Sequence, residues 1–255
     1  MTSEEGLDQL RWQAHSPPAK RRRWPTRLAV TLLVLAGLFV AADRITVGIA
    51  ESQIAKRIQQ SQNLQSKPSV TIANFPFLTQ LIGMKLDKVS VDAHGWTRNG
   101  VRVTDLHVDL KGVSPSNGFK EADVDDLSGT ALFSWTDMES AAAAQGLDVT
   151  LAEGPDNSVR VTGNVPGLGR ATLQSHLSLG PDNRLQLTAS KIESSSLGSA
   201  LTALVPKQLD FPINVGQLPM KLTLQTANMQ TSADGLRVYA VADHVRVTGQ
   251  GVSSG

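Results

Sequence analysis

From Pro68 onwards, aliphatic residues alternate with polar ones in one short segment after another. The pattern is clearest at residues 89–94 (VSVDAH), 106–111 (LHVDLK), 236–238 (LRV) and 245–248 (VRVT). Successive side chains of a strand point to opposite faces of the sheet, so each segment predicts a strand with one aliphatic and one polar face. About eight to ten such strands predict an antiparallel sheet, whose dry face must be covered by curling, by folding over or by helices.

Turn signals separate the predicted strands. Asn99-Gly100 predicts a hairpin because both residues accept the positive φ angles of a primed turn. The tetrapeptide GPDN occurs at 154–157 and at 180–183, each time between two alternating segments, and predicts two more hairpins. The alternation slips by one residue near Asp105, which predicts a β-bulge there.

Three segments have helical features. Asp43 is predicted to be the N-cap of an amphipathic helix that ends near Gln62, because apolar residues recur there at spacings of three and four. A capping-box pattern predicts a second helix at 136–145, and residues 197–204 predict a short third one. The apolar stripe of the first helix comprises Val47, Ala50, Ile54 and Ile58.

The start of the chain divides by charge and hydropathy. Residues 1–23 are polar and end in the basic run KRRR, which predicts a disordered cytoplasmic tail. Residues 24–42 include the uncharged run LAVTLLVLAGLFVAA and predict either an uncleaved signal-anchor or a signal peptide cleaved after Ala42. Both interpretations place the β-rich domain, residues 43–250, in the cell envelope on the extracytoplasmic side of the membrane.

Composition excludes several classes of protein. The net charge is +1, and residues 43–255 carry 18 basic and 20 acidic residues, so the domain lacks the excess of positive charge that nucleic-acid binding requires. The chain contains no cysteine, which excludes disulfides, thiolate metal sites and cysteine nucleophiles.

The search for catalytic motifs is negative. The chain contains no nucleophile elbow, no phosphate loop with lysine and no histidine pair at metal-binding spacing, so no metal or other cofactor is expected. Gly167-Leu-Gly169 is interpreted as a turn, and the acidic residues between 121 and 126 as a solvated loop. Three histidines fall on or beside polar-face positions, where solvated side chains are expected: His94, His107 and His244.

One segment, residues 74–81 (NFPFLTQL), concentrates aromatic residues in a chain that is only 4% aromatic. Pro76 fixes its own φ and pushes Phe75 into an extended conformation, so the rings of Phe75 and Phe77 are expected to project from a stiff, non-helical segment. Two interpretations remain open. The segment is either a core plug or strand-edge turn, or a rigid apolar lip at a lipid-accepting opening.

Four motifs resemble the LmeA-type phospholipid-binding proteins of actinobacteria: Asp43-Arg44, FPFLTQ at 75–80, LDKV at 86–89, and the stretch from Phe211-Pro212 to Leu236. The likeness covers roughly residues 43–250, and Asn74 replaces the glycine that usually precedes the first phenylalanine. The resemblance implies an envelope protein that binds anionic phospholipid and has no catalytic residues. It also implies an α+β fold, in which a long curved antiparallel sheet wraps one or two helices around an apolar cavity, as in tubular lipid-binding domains.

The leading hypothesis is therefore a non-catalytic protein that binds or shuttles phospholipid and supports envelope lipid or glycolipid homeostasis. Acyl chains on the aliphatic face would gain about 0.8 kcal/mol per buried CH₂. The alternatives are a structural or adaptor domain of the envelope with a fully packed core, and a hydrolase, for which the serine run at 194–196 is too generic. The predicted lipid-binding residues are Phe75, Pro76, Phe77 and Leu78, with Lys85, Lys88 and Arg98 for the headgroup.

Overall fold

The computed structural model describes residues 24–98, 101–117, 121–165, 169–179, 184–194, 208–214, 226–248 and 251–254. The chain divides into two compact units, residues 1–42 and 43–255, each of which is described separately. Several predicted features lie outside the described residues: the tail at 1–23, the Asn99-Gly100 turn, most of the 167–169 turn, the second GPDN turn and the helix at 197–204.

The apolar N-terminal segment belongs to a long helix, α1 (Trp24–Ser61). An 18-residue stretch of it has a mean hydropathy of 2.1 and is only 6% buried, so α1 is long and apolar enough to cross a membrane. The prediction that a separate helix starts at Asp43 is wrong, because α1 passes through this residue without a break. Asp43 is no N-cap, and its carboxylate is fully buried in the second unit.

The second unit consists mainly of antiparallel strands. The larger sheet contains β1 (Ser69–Ala73), β2 (Leu86–Arg98), β3 (Val101–Ser116), β4 (Glu121–Ser134), β10 (Thr226–Ser232), β11 (Gly235–Thr248) and β12 (Gly251–Ser254). The smaller sheet contains β5 (Val149–Glu153), β6 (Val159–Val165), β7 (Gly169–Leu179), β8 (Arg184–Ser194) and β9 (Gln208–Asn214). Among the residues that the structure describes, this unit also contains the short helices α2 (Phe77–Ile82) and α3 (Trp135–Ala143).

The larger sheet has the order β1-β2-β3-β4-β11-β10, with β12 paired to β11, and the smaller sheet runs β5-β6-β7-β8-β9. The predicted α+β class, with an N-terminal apolar helix before antiparallel strands, is confirmed. The strands form two sheets rather than the single sheet expected. Along the chain, α3 and the strands of the smaller sheet lie between β4 and β10 of the larger sheet.

In four neighbouring strands of the larger sheet, β2, β3, β4 and β11, the spacing between inward-facing residues changes at the same point along the strands. Inward-facing residues are otherwise two apart, but here they are three apart, and the register between strands stays constant across the shift. The backbone has positive φ at this level at Gly112 (60°) and His244 (50°). None of these four strands therefore carries an unmatched residue at this level. The inward-facing residues on either side are Leu86 and Val89, Leu110 and Val113, Val124 and Leu127, and Ala242 and Val245.

The same effect explains the slip in alternation near Asp105. Inward-facing Val103 and Leu106 are three residues apart on β3, and Ala93 and Trp96 are three apart on β2, where Gly95 has φ 64°. Because both strands shift together, the register does not change and the predicted β-bulge is wrong. Likewise, the two final strands predicted from the sequence are one strand, β11.

Two hydrophobic clusters cover the inward face of the larger sheet. One cluster joins the sheet to α1 and α2, and the predicted stripe of α1 packs in it, which confirms this part of the helix prediction. The other joins the sheet to α3 and the smaller sheet. Leu106 contacts both clusters, so the two cores are continuous along β3. The largest fully buried side chains include Phe133, Leu127, Met138 and Leu236.

Helix α3 confirms the second helix prediction but begins at a different cap. The Ser134 hydroxyl oxygen accepts the backbone N–H of Asp137 at 3.1 Å, and the hydroxyl donates to the Asp137 carboxylate at 2.8 Å. The predicted capping box at 136–139 is therefore displaced by two residues. Ser134 is the N-cap because its backbone is already extended at the end of β4.

The first GPDN turn connects β5 to β6 as predicted, and it also contacts the larger sheet. The Asn157 side chain donates to the carbonyl of Met229 and accepts the N–H of Thr231, both at 2.7 Å. Met229 and Thr231 belong to β10, the last strand in the order of the larger sheet. One turn of the smaller sheet thus satisfies backbone groups at the edge of the larger one.

Candidate functional site

Two segments that are distant in sequence meet around α2: residues 43–44 of α1, and residues 74–88, which run from the end of β1 through α2 to the start of β2. We call this region the α2 site. It joins the three N-terminal motifs that carry the family resemblance, and it contains most of the residues that the sequence analysis singled out.

Asp43 connects α1 to α2. Its Oδ1 accepts the backbone N–H of Leu78 at 2.8 Å, and its Oδ2 accepts Nη2 of Arg44 at 2.8 Å. The first N–H groups of a helix have no partner within the helix, and Pro76 at the N-cap position of α2 offers no side-chain acceptor. The carboxylate of Asp43 takes over this role from a remote part of the chain.

Gln80 holds the turn between β1 and α2. Its amide nitrogen donates to the carbonyl of Asn74 at 3.1 Å, and its Oε1 accepts the backbone N–H of Asp87 at 3.0 Å. The Asn74 side chain donates to the Asp87 carboxylate at 3.0 Å, while its backbone has φ 73°. Asparagine tolerates positive φ better than most residues, so Asn74 can make this turn without a glycine.

The two phenylalanines have different environments. Phe77 is the first residue of α2 and is 2% exposed, packed in the cluster that contains Val47 and Leu86. The expectation that both rings project from a non-helical segment is therefore wrong for Phe77. Phe75 is 53% exposed, and the guanidinium carbon of Arg44 lies 5.1 Å from its ring centroid. Pro76 is half-buried between them.

Apolar side chains are also exposed at the C-terminal end of α2. Ile82, its last residue, is 84% exposed, and Met84 is 48% exposed. Leu81 packs against the core and Leu78 is half-buried, so α2 turns one face inward and Ile82 away from it. Neither Ile82 nor Met84 was predicted to be a site residue, although both stand directly after the aromatic segment.

Two predicted headgroup residues lie beside α2, and each forms an ion pair. Lys85 Nζ is 3.1 Å from Oδ2 of Asp125, and Lys88 Nζ is 3.0 Å from Oδ2 of Asp109. A Cβ at position 112 would collide with the Asp125 carboxylate, so Gly112 is what lets Asp125 lie across the sheet. The Lys85–Asp125 pair is exposed on both sides, and exposed pairs contribute only about 0–1 kcal/mol, so an anionic ligand can replace the Asp125 carboxylate at small cost.

Arg98 lies away from the α2 site. It is the last residue of β2 and stands opposite Val101, whereas Lys88 is near the first residue of the same strand. Ten residues of strand separate the two by roughly 30 Å. Arg44, by contrast, belongs to the site, although it was not among the predicted headgroup residues. Its place in the Asp43-Arg44 motif was the signal that pointed to it.

A row of paired charges lies on the polar face of the larger sheet. His107 Nδ1 is 2.6 Å from Asp92, and this hydrogen bond is the main cause that raises the pKa of His107 above 6.5. The Ser90 hydroxyl donates to Asp109 at 2.6 Å and lowers the pKa of that carboxyl below 3.8. Nδ1 of His94 also contacts the carboxylate of Asp105, at 2.5 Å.

Several side chains that could bind a metal are engaged in these pairs, among them those of His107, Asp92 and Asp109. Among the described residues, no group of three or more such side chains is arranged to hold a metal ion. The acidic residues between 121 and 126 lie within strand β4 rather than in the predicted loop, and Asp123 pairs with Arg246 at 2.8 Å. These carboxylates therefore belong to the solvated face of a strand.

Together, these features define a protein of helix and antiparallel sheet, with exposed apolar and basic side chains around one short helix. The family model for LmeA-like phospholipid-binding proteins matches residues 41–241. The chain therefore belongs to the LmeA-like phospholipid-binding family, and the resemblance seen in the motifs is confirmed. No curated protein and no solved structure shows significant similarity to the chain.

Proposed function

We propose that this chain is a non-catalytic protein of the cell envelope that binds anionic phospholipid and shuttles it at the membrane. Membership of the phospholipid-binding family supports the ligand class. The apolar part of α1 supports attachment to the membrane, with residues 43–255 on the extracytoplasmic side. The observation that carries the proposal is the α2 site, where exposed cations and exposed apolar side chains lie within one short stretch of structure.

The cations of the site suit an anionic headgroup. Arg44 and Lys85 are 53% and 58% exposed. A guanidinium has five N–H donors in a planar fork that matches phosphate, more than the contact of Arg44 with Asp43 uses. Lys85 can exchange Asp125 for a phosphate oxygen with little loss of free energy. Lys88 lies nearby as a third cation, whereas Arg98 is too far along β2 to reach the same headgroup.

The apolar side chains of the site suit the acyl region. Phe75 and Leu78 offer apolar surface next to Arg44 and Asp43, so a lipid bound with its phosphate on Arg44 places its glycerol and first methylenes against them. Each methylene buried there gains about 0.8 kcal/mol. Phe77 supports this surface from the core beneath it and does not contact the ligand.

The test is lipid extraction from full-length protein that has been incubated with liposomes of mixed anionic and zwitterionic phospholipid and then re-isolated from them in detergent micelles. We expect bound phospholipid enriched in the anionic species, chemically intact, and transferable to acceptor liposomes. Arg44→Gln with Lys85→Gln should abolish the enrichment. Arg102→Gln is the matched control, since Arg102 is 55% exposed and pairs with Asp137 at the other end of the β2–β3 hairpin.

The proposal is overturned if the wild-type protein carries no phospholipid and transfers none. A fully packed structural or adaptor domain would then be the better account of the fold. Recovery of cleaved lipid would instead overturn the non-catalytic part of the proposal.

A further inference from the structure

We infer that the α2 site is also a membrane-contact surface, which rests on the same bilayer that α1 enters and places Phe75, Ile82 and Met84 among the lipid headgroups. This inference uses the proposed membrane attachment through α1. It goes beyond lipid binding, because it concerns the surface of the bilayer rather than a single bound lipid.

The first observation is the density of exposed apolar side chains. Single exposed hydrophobic residues are common on protein surfaces, but a cluster of large ones marks a site of interaction. Phe75, Ile82 and Met84 are 53%, 84% and 48% exposed and lie within ten residues of the chain. All are at the ends of α2, whose opposite side is fixed to the core through Phe77.

The second observation is the outward side of α1 in the second unit. Asp43 and Val47 are buried, whereas Ile45 and Ile49 are 64% and 55% exposed on the other side of the helix. Ile45 and Ile49 therefore extend the apolar character of residues 28–42 by two turns, on the side that does not pack against the domain. Such a helix is expected to enter the headgroup region still presenting apolar side chains to lipid.

The third observation is that the α2 site adjoins the end of the apolar run in the chain itself. Ala42 is followed directly by Asp43 and Arg44, which bind Leu78 and Phe75. When residues 24–42 span the bilayer, Asp43 and its contacts lie at the membrane–water boundary. Aromatic rings and arginine are typical of this boundary, because each combines an apolar body with a polar or charged end.

Charge favours a bilayer over a protein as the occupant. Arg44 and Lys85 flank the apolar side chains, and cations are attracted to an anionic membrane surface. Helix α2 with its flanking residues thus resembles a short interfacial element, apolar toward the acyl boundary and basic at its rim. If a second copy of this chain bound here instead, Arg44 and Lys85 of the two copies would face one another across the contact and repel.

Depth-dependent quenching tests the inference, and the absence of cysteine makes single-site labels possible. Full-length Ile82→Cys, labelled with an environment-sensitive fluorophore, is reconstituted into liposomes that contain anionic phospholipid. Full-length Val241→Cys is the matched control, since Val241 is an aliphatic residue of β11 that is 46% exposed. We expect headgroup-level spin-labelled lipid to quench the label at 82, and aqueous iodide to quench the label at 241.

A second variant removes the charge while keeping the label. Adding Lys85→Gln to labelled Ile82→Cys should reduce quenching by lipid and increase quenching by iodide, without releasing the protein from liposomes in flotation. Equal iodide quenching at 82 and 241 in protein that floats with liposomes overturns the inference. If that protein still yields phospholipid on extraction, the proposed lipid binding survives.

Two other outcomes also overturn it. Protection of the label at 82 from both quenchers shows that protein covers the surface, which self-crosslinking of the same cysteine would identify as a second copy. Failure of the wild-type protein to float with liposomes removes the membrane attachment on which the inference rests.

Discussion

The carboxylate of Asp43 accepts the backbone N–H of Leu78 at 2.8 Å, although 35 residues separate them in the chain. Asp43 is fully buried, so its oxygens depend on protein donors rather than water. This one side chain fixes the start of α2 against α1, and with it the position of Phe75 and Arg44.

Replacing Asp43 tests the role of this contact. Asp43→Ala leaves the N–H of Leu78 without its acceptor, and we expect the free energy of unfolding to fall by about 1–3 kcal/mol. Asp43→Asn keeps an oxygen that can accept the N–H, so its loss should be smaller. Urea unfolding of the full-length protein in detergent micelles measures both, and equal losses would contradict the role of Asp43 as an acceptor.

Replacing Phe75 is expected to weaken phospholipid binding, whereas replacing Phe77 is expected to lower the stability of the fold. Phe77→Ala removes a core ring and should lower the free energy of unfolding by about 3–5 kcal/mol. Phe75→Ala should cost less than about 1 kcal/mol, because it loses only an exposed ring and its contact with Arg44. Unfolding by urea and lipid extraction on the same samples check this. We expect Phe75→Ala to bind less phospholipid while remaining folded, and similar destabilisation by both variants would contradict the assignment.

The pKa shifts of His107 and Asp109 predict a pH dependence of stability. The pKa of His107 is raised by Asp92, so its contribution is complete below pH 6.5 and is lost as pH rises through the folded-state value. The pKa of Asp109 is lowered by Ser90, so its contribution is complete above pH 3.8 and is lost as pH falls through the folded-state value. Both contributions are therefore present in mildly acidic solution.

His107→Gln provides the measurement. The difference in free energy of unfolding between wild type and variant should be largest at mildly acidic pH and should shrink as the solution becomes alkaline. A difference that stays constant across this range would show that charge on His107 does not stabilise the fold.

Asn157 is expected to stabilise the contact between the two sheets. Asn157→Gly keeps the positive φ of 57° but removes the bonds to Met229 and Thr231, and should cost about 1 kcal/mol. Asp156→Gly in the same turn, where φ is 54°, is the control and should change stability by less than about 0.5 kcal/mol. Hydrogen exchange at the Thr231 amide should accelerate in Asn157→Gly alone, and unchanged exchange would contradict this role.

Local patterns predicted much of the fold. The alternating segments gave β2, β3 and β11 because inward-facing residues of a half-buried strand repeat every second position, and the stripe of α1 followed from the helical period. The family motifs predicted where the site would be. These signals depend on neighbouring residues alone, which is why they can be read from one sequence.

Contacts between distant residues could not be predicted in this way. Aspartate is a common N-cap residue, but α1 continues through Asp43 without a break. The Asp43 carboxylate instead accepts the N–H of Leu78, 35 residues away. Phe77 was expected to project from a non-helical segment, but α2 packs against the core and buries its ring. The slip near Asp105 looked like a bulge because the matching slip near Gly95 is visible only when the two strands are paired.

The spacing of inward-facing residues changes at the same level in β2, β3, β4 and β11, so the lengths of these four strands depend on one another. An insertion or deletion at this level in one strand would turn the residues beyond it to the wrong face, unless the other three changed as well. Since β11 follows β4 only after the whole smaller sheet, compensating changes must arise in remote parts of the gene. Recombination between relatives should therefore yield folded chimeras mainly when all four strands are inherited from one parent.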